Sequence, residues 1–166
     1  MHPITAVQME WSLAERGIEA SLVPTCRELG VAIVAYSPLS RGLLTGSISG
    51  VADVAGAHDR RAHLPRFAPG ACEANAARAG ALKDLGARLH ATPAQLSLAW
   101  LLRQGEFVFP IPGSKTVGRV AENWGAVAIA SRLTEEEVAA IGALSFAAEG
   151  NRYPAAGSAH IWEARA

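Results

Sequence analysis

Apolar and polar residues alternate loosely from Ile4 to Glu10, and the run closes on Glu10-Trp11-Ser12-Leu13, which predicts a short strand entering a polar loop. Between Ala20 and Leu29 the apolar residues Leu22, Val23, Cys26 and Leu29 fall at helical spacing, and Gly30 stops the helix. Val31 to Ala35 is apolar without a break, the pattern of a strand buried on both faces. Strand, helix and strand in so few residues predict a βαβ unit and therefore a parallel sheet. Residues 37–70 are rich in Gly, Ser, Pro and charge, and predict a long loop that is functional or disordered. An alanine-rich helix is predicted over 74–89. Thr92-Pro93-Ala94-Gln95 then offers an N-cap, a proline at the first helical position and a glutamine that closes a capping box, for a helix to Arg103. Phe107 to Ile111 reads as the third strand. Helices follow at 117–125 and 135–146, the second opened by the capping box Thr134-Glu135-Glu136-Glu137, and the chain from Gly150 reads as irregular. Three buried-type strands, each followed by helix, make an odd total: a three-stranded parallel sheet has two raw edges, whereas such sheets are normally covered or closed.

Composition narrows the function. The 166 residues suit one domain, with 50% apolar and 18% charged residues around a formal charge of zero. No basic field is available to follow a nucleic-acid backbone or an anionic membrane. Cys26 and Cys72 are the only cysteines, without CxxC or paired-histidine spacing, and read as reduced, incidental thiols. The first residues carry no leader pattern and no run approaches membrane-spanning length, so a soluble, cytoplasmic protein is expected. His58, Asp59, Arg61 and His63 lack metal-ligand spacing and read as loop surface charge.

The segment from Phe109 to Asn123 carries the clearest chemistry. A strand ends in Pro110-Ile111-Pro112-Gly113 and a helix opens soon after, which aims free backbone N–H groups at one point. Ser114, Lys115, Thr116 and Arg119 add hydroxyl and cationic donors that suit a phosphate. The expectation is an anchor for a phosphorylated cofactor.

Three blocks together resemble the aldo-keto reductase family: Ile4-Thr5-Ala6-Val7-Gln8-Met9-Glu10-Trp11-Ser12-Leu13; Val34-Ala35-Tyr36-Ser37-Pro38-Leu39-Ser40-Arg41-Gly42-Leu43-Leu44-Thr45-Gly46; and Pro110-Ile111-Pro112-Gly113-Ser114-Lys115 with Arg119, Glu122 and Asn123. Thr92 to Trp100 and Arg152-Tyr153-Pro154 also fit, as in long-loop bacterial members. The resemblance covers residues 2–154 and implies an α/β fold, the C-terminal portion of a (β/α)8 TIM barrel carrying its sixth, seventh and eighth strands. Residues 1–154 would be the partial barrel domain and 155–166 a C-terminal tail. Phosphate binding on the loops after the last two strands is a habit of such barrels.

The resemblance further implies NADPH-dependent reduction of aldehydes and ketones. Gln8 would bond the nicotinamide carboxamide and Tyr36 would stack on the ring. Ser37, Leu39 and Arg41 would line the pyrophosphate. Gly113 gives the turn, Ser114, Lys115 and Arg119 would hold the ribose 2′-phosphate, and Glu122 and Asn123 would lie at the adenine. Trp11 stands where the family more often has tyrosine. The family's catalytic Asp, Tyr, Lys and His come from the first four strands. Tyr36 and Tyr153 are the only tyrosines here and Lys83 and Lys115 the only lysines, none in that context. No catalytic residue and no metal site is therefore assigned, and the chain alone is expected to be inactive. Two other readings stay open: a non-catalytic nucleotide-binding or interaction module, and an inactive truncated fragment. The raw sheet edges add an expectation of oligomers through strand pairing, or of poor stability.

Overall fold

The computed structural model describes residues 2–154; the assignment of 155–166 as a tail lies outside the described residues. Strands β1 (Ala6–Glu10), β2 (Ala32–Tyr36) and β3 (Val108–Pro110) form a parallel sheet in the order β1-β2-β3. Its register pairs Gln8 with Val34, Glu10 with Tyr36, and Ala35 with Pro110. The carboxyl ends of all three strands therefore meet at one edge.

Five α-helices connect and cover the strands. Helix α1 (Leu22–Leu29) follows a 3-10 turn at Gly17–Ala20 and stops at Gly30, whose φ of 67° is one that glycine adopts without strain. Helix α2 (Ala71–Arg88) starts three residues before the predicted 74, because Glu73 bonds the Gly70 and Val51 amides and secures the first turn. Helix α3 (Pro93–Leu102) has the predicted reciprocal cap between Thr92 and Gln95. Helix α4 (Val117–Arg132) runs seven residues beyond the predicted 125. Ala126, Ala128 and Ala130 are strong helix formers, and no stop signal precedes Leu133. Helix α5 (Glu135–Ala143) opens with the predicted box between Thr134 and Glu137 and is shorter than expected.

Helix α3 is buried on every side, which explains why its sequence shows no polar stripe. It packs against β3, α2, α4 and α5. Gln95 reaches from α3 to the Glu122 carbonyl of α4 at 3.1 Å, and a β-carbon on Gly125 would lie 2.6 Å from the Gln95 amide nitrogen. Glycine at 125 thus allows the two helices to meet through that bond.

The helices cover only one sheet face. Val7, Met9, Ile33, Ala35 and Val108 join the main core with Leu82, Leu96, Trp100, Leu101 and Ile141. Gln8, Val34, Tyr36 and Phe109 alternate onto the other face, where Gln8 is exposed and Phe109 is 53% exposed. The expectation that β2 is buried on both faces is therefore corrected: its second face is only half-buried, with the Arg152 guanidinium over the Tyr36 ring at its end and no helix across it among the described residues. Helix α4 likewise leaves Val117, Val120, Trp124 and Val127 in the open, with Trp124 77% exposed.

The long loop at 37–70 is neither disordered nor structureless. It winds through 3-10 turns at Ser40–Thr45, Val51–Val54, Arg60–His63 and Pro65–Phe67. Leu43, Ile48, Val54 and Phe67 form its own small core with Cys72. Asp59 and Arg61 are not plain surface charge. Asp59 caps the third turn through the Arg61 amide and pairs with the Arg61 guanidinium at 2.6 Å. His58 and His63 are exposed, as their reading as surface groups expects.

Two outcomes follow from these local constraints. Gly86→Ala, whose β-carbon would collide with the Ala91 backbone carbonyl, should lower stability, whereas Gly80→Ala, in the interior of α2 with nothing near its β-carbon, should raise it by roughly 0.5–1 kcal/mol; urea denaturation of both variants checks the opposite signs. The second concerns acid. Side-chain and then backbone hydrogen bonds from Arg61 hold the Asp59 carboxyl down at about 2. A depressed carboxylate stabilises the fold above its ordinary value near 4, and that contribution disappears as pH falls through the folded value. The Asp59 resonance should titrate near 2, and Asp59→Asn should remove this part of the stability loss between pH of about 4 and 2.

Candidate functional site

The chain leaves β2 through backbone that non-glycine residues seldom adopt. Ser37, Ser40 and Arg41 have φ of 49°, 47° and 55°, and three of the four such residues described lie in this one turn. Each costs on the order of 1–3 kcal/mol and persists only where its surroundings enforce it. Hydrogen bonds from Ser40 N to Ser37 O (2.8 Å) and Gly42 N to Leu39 O (2.9 Å) hold the turn. Side chains from far along the chain complete the enforcement. Arg61 Nη1 donates to the Arg41 carbonyl at 3.1 Å, and Arg41 Nη1 donates to the Arg152 carbonyl at 3.3 Å. The Arg41 guanidinium lies 4.9 Å from the centre of the Tyr153 ring.

Beneath this turn lies a charge cluster that sequence patterning missed. Glu10, at the end of β1, is 2% exposed, and Arg66 and Arg152 are 7% and 6% exposed. Arg152 Nε lies 2.8 Å from Glu10 Oε2, Arg66 Nη2 lies 2.5 Å from Glu15 Oε2, and Arg66 Nη1 reaches Glu10 Oε1 at 3.4 Å. Burial pushes the Glu10 carboxyl up, and Arg152, Arg66 and Arg41 pull it back. Arg152 Nη1 also donates to the Tyr36 hydroxyl at 3.1 Å. That phenol is pushed up to about 12, first by burial, against the lowering effect of Arg152. The one available signal was Glu10 itself, a charge on a strand between apolar neighbours.

The loop after β3 forms the second part of the site. The Ile111 amide bonds the Ala35 carbonyl at 3.0 Å, which sets this loop beside the turn after Tyr36. The Thr116 hydroxyl caps α4 by accepting from the Arg119 amide, so it satisfies a helix donor of its own chain instead of standing free for a ligand. Asn123 donates to Ser114 Oγ at 2.9 Å. Gly113, Ser114, Lys115 and Arg119 are exposed, Glu122 and Asn123 half-buried. The side chains of Lys115 and Arg119 take no hydrogen-bond or ion-pair partner among the described residues. Two uncommitted cations at a helix N-terminus form an electropositive point suited to an anion.

The structure thus brings Tyr36, Ser37, Leu39 and Arg41 together with the loop of Gly113, Ser114 and Lys115 at one edge of the sheet. Gln8 shares the open sheet face with Tyr36, paired with Val34 two residues below it. Trp11 turns away into the core, where its ring meets Trp100 edge-on at 6.1 Å. Cys72 heads α2 as expected but is fully buried, and burial pushes both thiols up, so neither is poised to react. A cavity of about 380 Å³ between Glu15, Arg16, Arg66 and residues 145–148 is lined by none of the candidate cofactor residues.

The chain has relatives among known proteins. A family model for the aldo/keto reductase family matches residues 1–145. A soybean (Glycine max) protein named probable aldo-keto reductase 1 is 46% identical over 138 residues, which make up 83% of this chain and 39% of that protein. The glycerol dehydrogenase of Gluconobacter oxydans matches with a TM-score of 0.72 and 26% identity, over 86% of this chain and 42% of that one. An aldo/keto reductase from Klebsiella pneumoniae, crystallised with NADP and acetate, matches with a TM-score of 0.56 and 25% identity, over 90% and 43%. The chain spans about two fifths of the length of these relatives. Its three parallel strands with their helices are a portion of a (β/α)8 barrel, and the chain belongs to the aldo/keto reductase family.

Proposed function

We propose that this chain is the dinucleotide-holding part of an NADP-dependent reductase of aldehydes and ketones. The observation that carries the reading is the pair of uncommitted cations, Lys115 and Arg119, beside a strained turn that presents Arg41. Three cations around two adjacent loops suit a ligand with several phosphates. Lys115, Arg119 and Ser114 would take the 2′-phosphate, with Glu122 and Asn123 toward the adenine. Arg41, Ser37 and Leu39 would line the pyrophosphate, and Tyr36 and Gln8 would receive the nicotinamide. The Klebsiella relative, which binds NADP, supports the choice of cofactor. The chemistry that such a dinucleotide supplies when bound is hydride donation to a carbonyl carbon.

The chain's own residues bind and orient in this reading. Reduction also needs a proton donor matched to working pH, and Tyr36, at about 12, is a poor match. We therefore assign the acid to preceding βα units of the family fold. Those units would also cover the bare sheet face and the stripe Val117, Val120, Trp124 and Val127 on α4. Residues 51–70 would form part of the rim for a small carbonyl substrate.

Tryptophan fluorescence titration of the 166-residue chain tests the reading. NADPH should bind, and Lys115→Met with Arg119→Leu should weaken it at least roughly tenfold, the value of one lost charge-assisted hydrogen bond, while NADH binding stays near the original. An aromatic aldehyde should not be turned over by the chain alone. No NADPH binding defeats the proposal, and turnover defeats the assignment of the acid. Binding without turnover is also what a pure nucleotide-binding module would give. Adding the preceding βα units of a relative separates the two, because only the reductase reading predicts that turnover appears.

A further inference from the structure

Arg152 lies at the far end of the described chain, yet its contacts converge on the nicotinamide end of the proposed site. Its guanidinium offers donors in a fixed planar fork, and each side of the fork has separate work. Nε pairs with Glu10 Oε2 at 2.8 Å, and Nη2 lies 3.8 Å from Glu15 Oε2. Nη1 is left for the Tyr36 hydroxyl at 3.1 Å. The backbone carbonyl of the same residue accepts from Arg41, and the next residue, Tyr153, places its ring against the Arg41 guanidinium. A single dipeptide therefore grips both the aromatic and the cation that flank the turn from Ser37 to Gly42.

The other end of the site is built without it. Thr116 caps the helix that presents Arg119, and Asn123 holds Ser114. The two halves of the dinucleotide would thus meet two independently supported surfaces.

We propose that Arg152 is a positioning residue for the nicotinamide-and-pyrophosphate half of the cofactor: held by Glu10, it fixes the tilt of the Tyr36 ring through the phenol and the placement of Arg41 through its carbonyl. The inference rests on the dinucleotide reading above. Lysine could keep the charge balance of the cluster, but as a compact ammonium on a flexible stem it could not serve Glu10 and Tyr36 in one fixed plane.

The test compares two ligands on the 166-residue chain: NADPH, which would use both halves of the site, and adenosine 2′,5′-bisphosphate, which would use only the Lys115 and Arg119 end. Arg152→Lys should weaken NADPH roughly tenfold, as expected for one lost charge-assisted hydrogen bond, and leave the bisphosphate unchanged. Tyr36→Phe keeps the ring and removes only the hydroxyl, which Arg152 holds together with the neighbouring Tyr153, so it should show the same one-sided loss even if the arginine variant folds poorly. Equal weakening of both ligands would mean that Arg152 supports the fold in general, and unchanged NADPH binding in both variants would mean that the clamp does nothing; either result overturns the proposal. Failure of the dinucleotide reading shows separately, because the unmodified chain would then bind NADPH no better than the bisphosphate.

Discussion

The cluster of Glu10, Glu15, Arg66 and Arg152 is the constraint on which the rest of the site depends. It joins a strand end, the long loop and the last described segment, parts of the chain up to 142 residues apart. Two carboxylates face two guanidiniums, so the cluster balances its charge. Balance matters because each ion taken out of water costs several kcal/mol, and attraction offsets this only with complete partnering. Loss of one partner from such a pair typically costs about 3–5 kcal/mol, since the remaining charge stays buried. An apolar cluster of the same volume could be as stable. What it would not supply is direction: a guanidinium that forms ion pairs with two acids and donates to a phenol narrows the ways in which the segments it joins can meet.

That direction is used at once in the turn after β2. Arg41 combines an unfavourable backbone with a charged side chain, and neither is stable alone. Arg61 bonds its carbonyl from the long loop, Arg152 and Tyr153 receive its side chain, and Asp59 holds Arg61 in place. The turn is therefore held by a chain of hydrogen bonds and one ion pair that leads to the buried cluster. The long loop serves as scaffolding for the turn after β2, and with it for the edge proposed to take the dinucleotide.

Much of this fold was legible in the residue pattern. The three strands, the caps at Thr92 and Thr134 and the passage from strand to helix after β3 are local signals, written within a few residues of where they act. Family blocks placed Tyr36 and Arg41, again from contiguous residues. Helix lengths were less legible: alanines in α4 carry little amphipathic signal, so the pattern faded at 125 while the helix continued to Arg132. The charge cluster was legible only as one charge, Glu10, on a strand between apolar neighbours. Glu10, Arg66 and Arg152 each resemble an ordinary polar residue near a loop, and only the fold brings them together. The same holds for Arg61, whose role depends on a carbonyl twenty residues away.

The edge proposed to take the dinucleotide and the open sheet face are two outcomes of one arrangement. Every support found for Tyr36, Arg41 and Ser114 comes from residues between 10 and 153, on strands, loops and helices that are already packed together. The sheet leaves apolar surface over: Phe109 stays exposed and Val34 half-buried on its second face, and α4 carries a second apolar stripe at three- and four-residue spacing away from its buried side. A helix with two apolar faces belongs between two neighbours, and a parallel strand with two apolar faces belongs between two layers. Both bare surfaces therefore call for the same kind of cover, which further βα units of the family's barrel would supply.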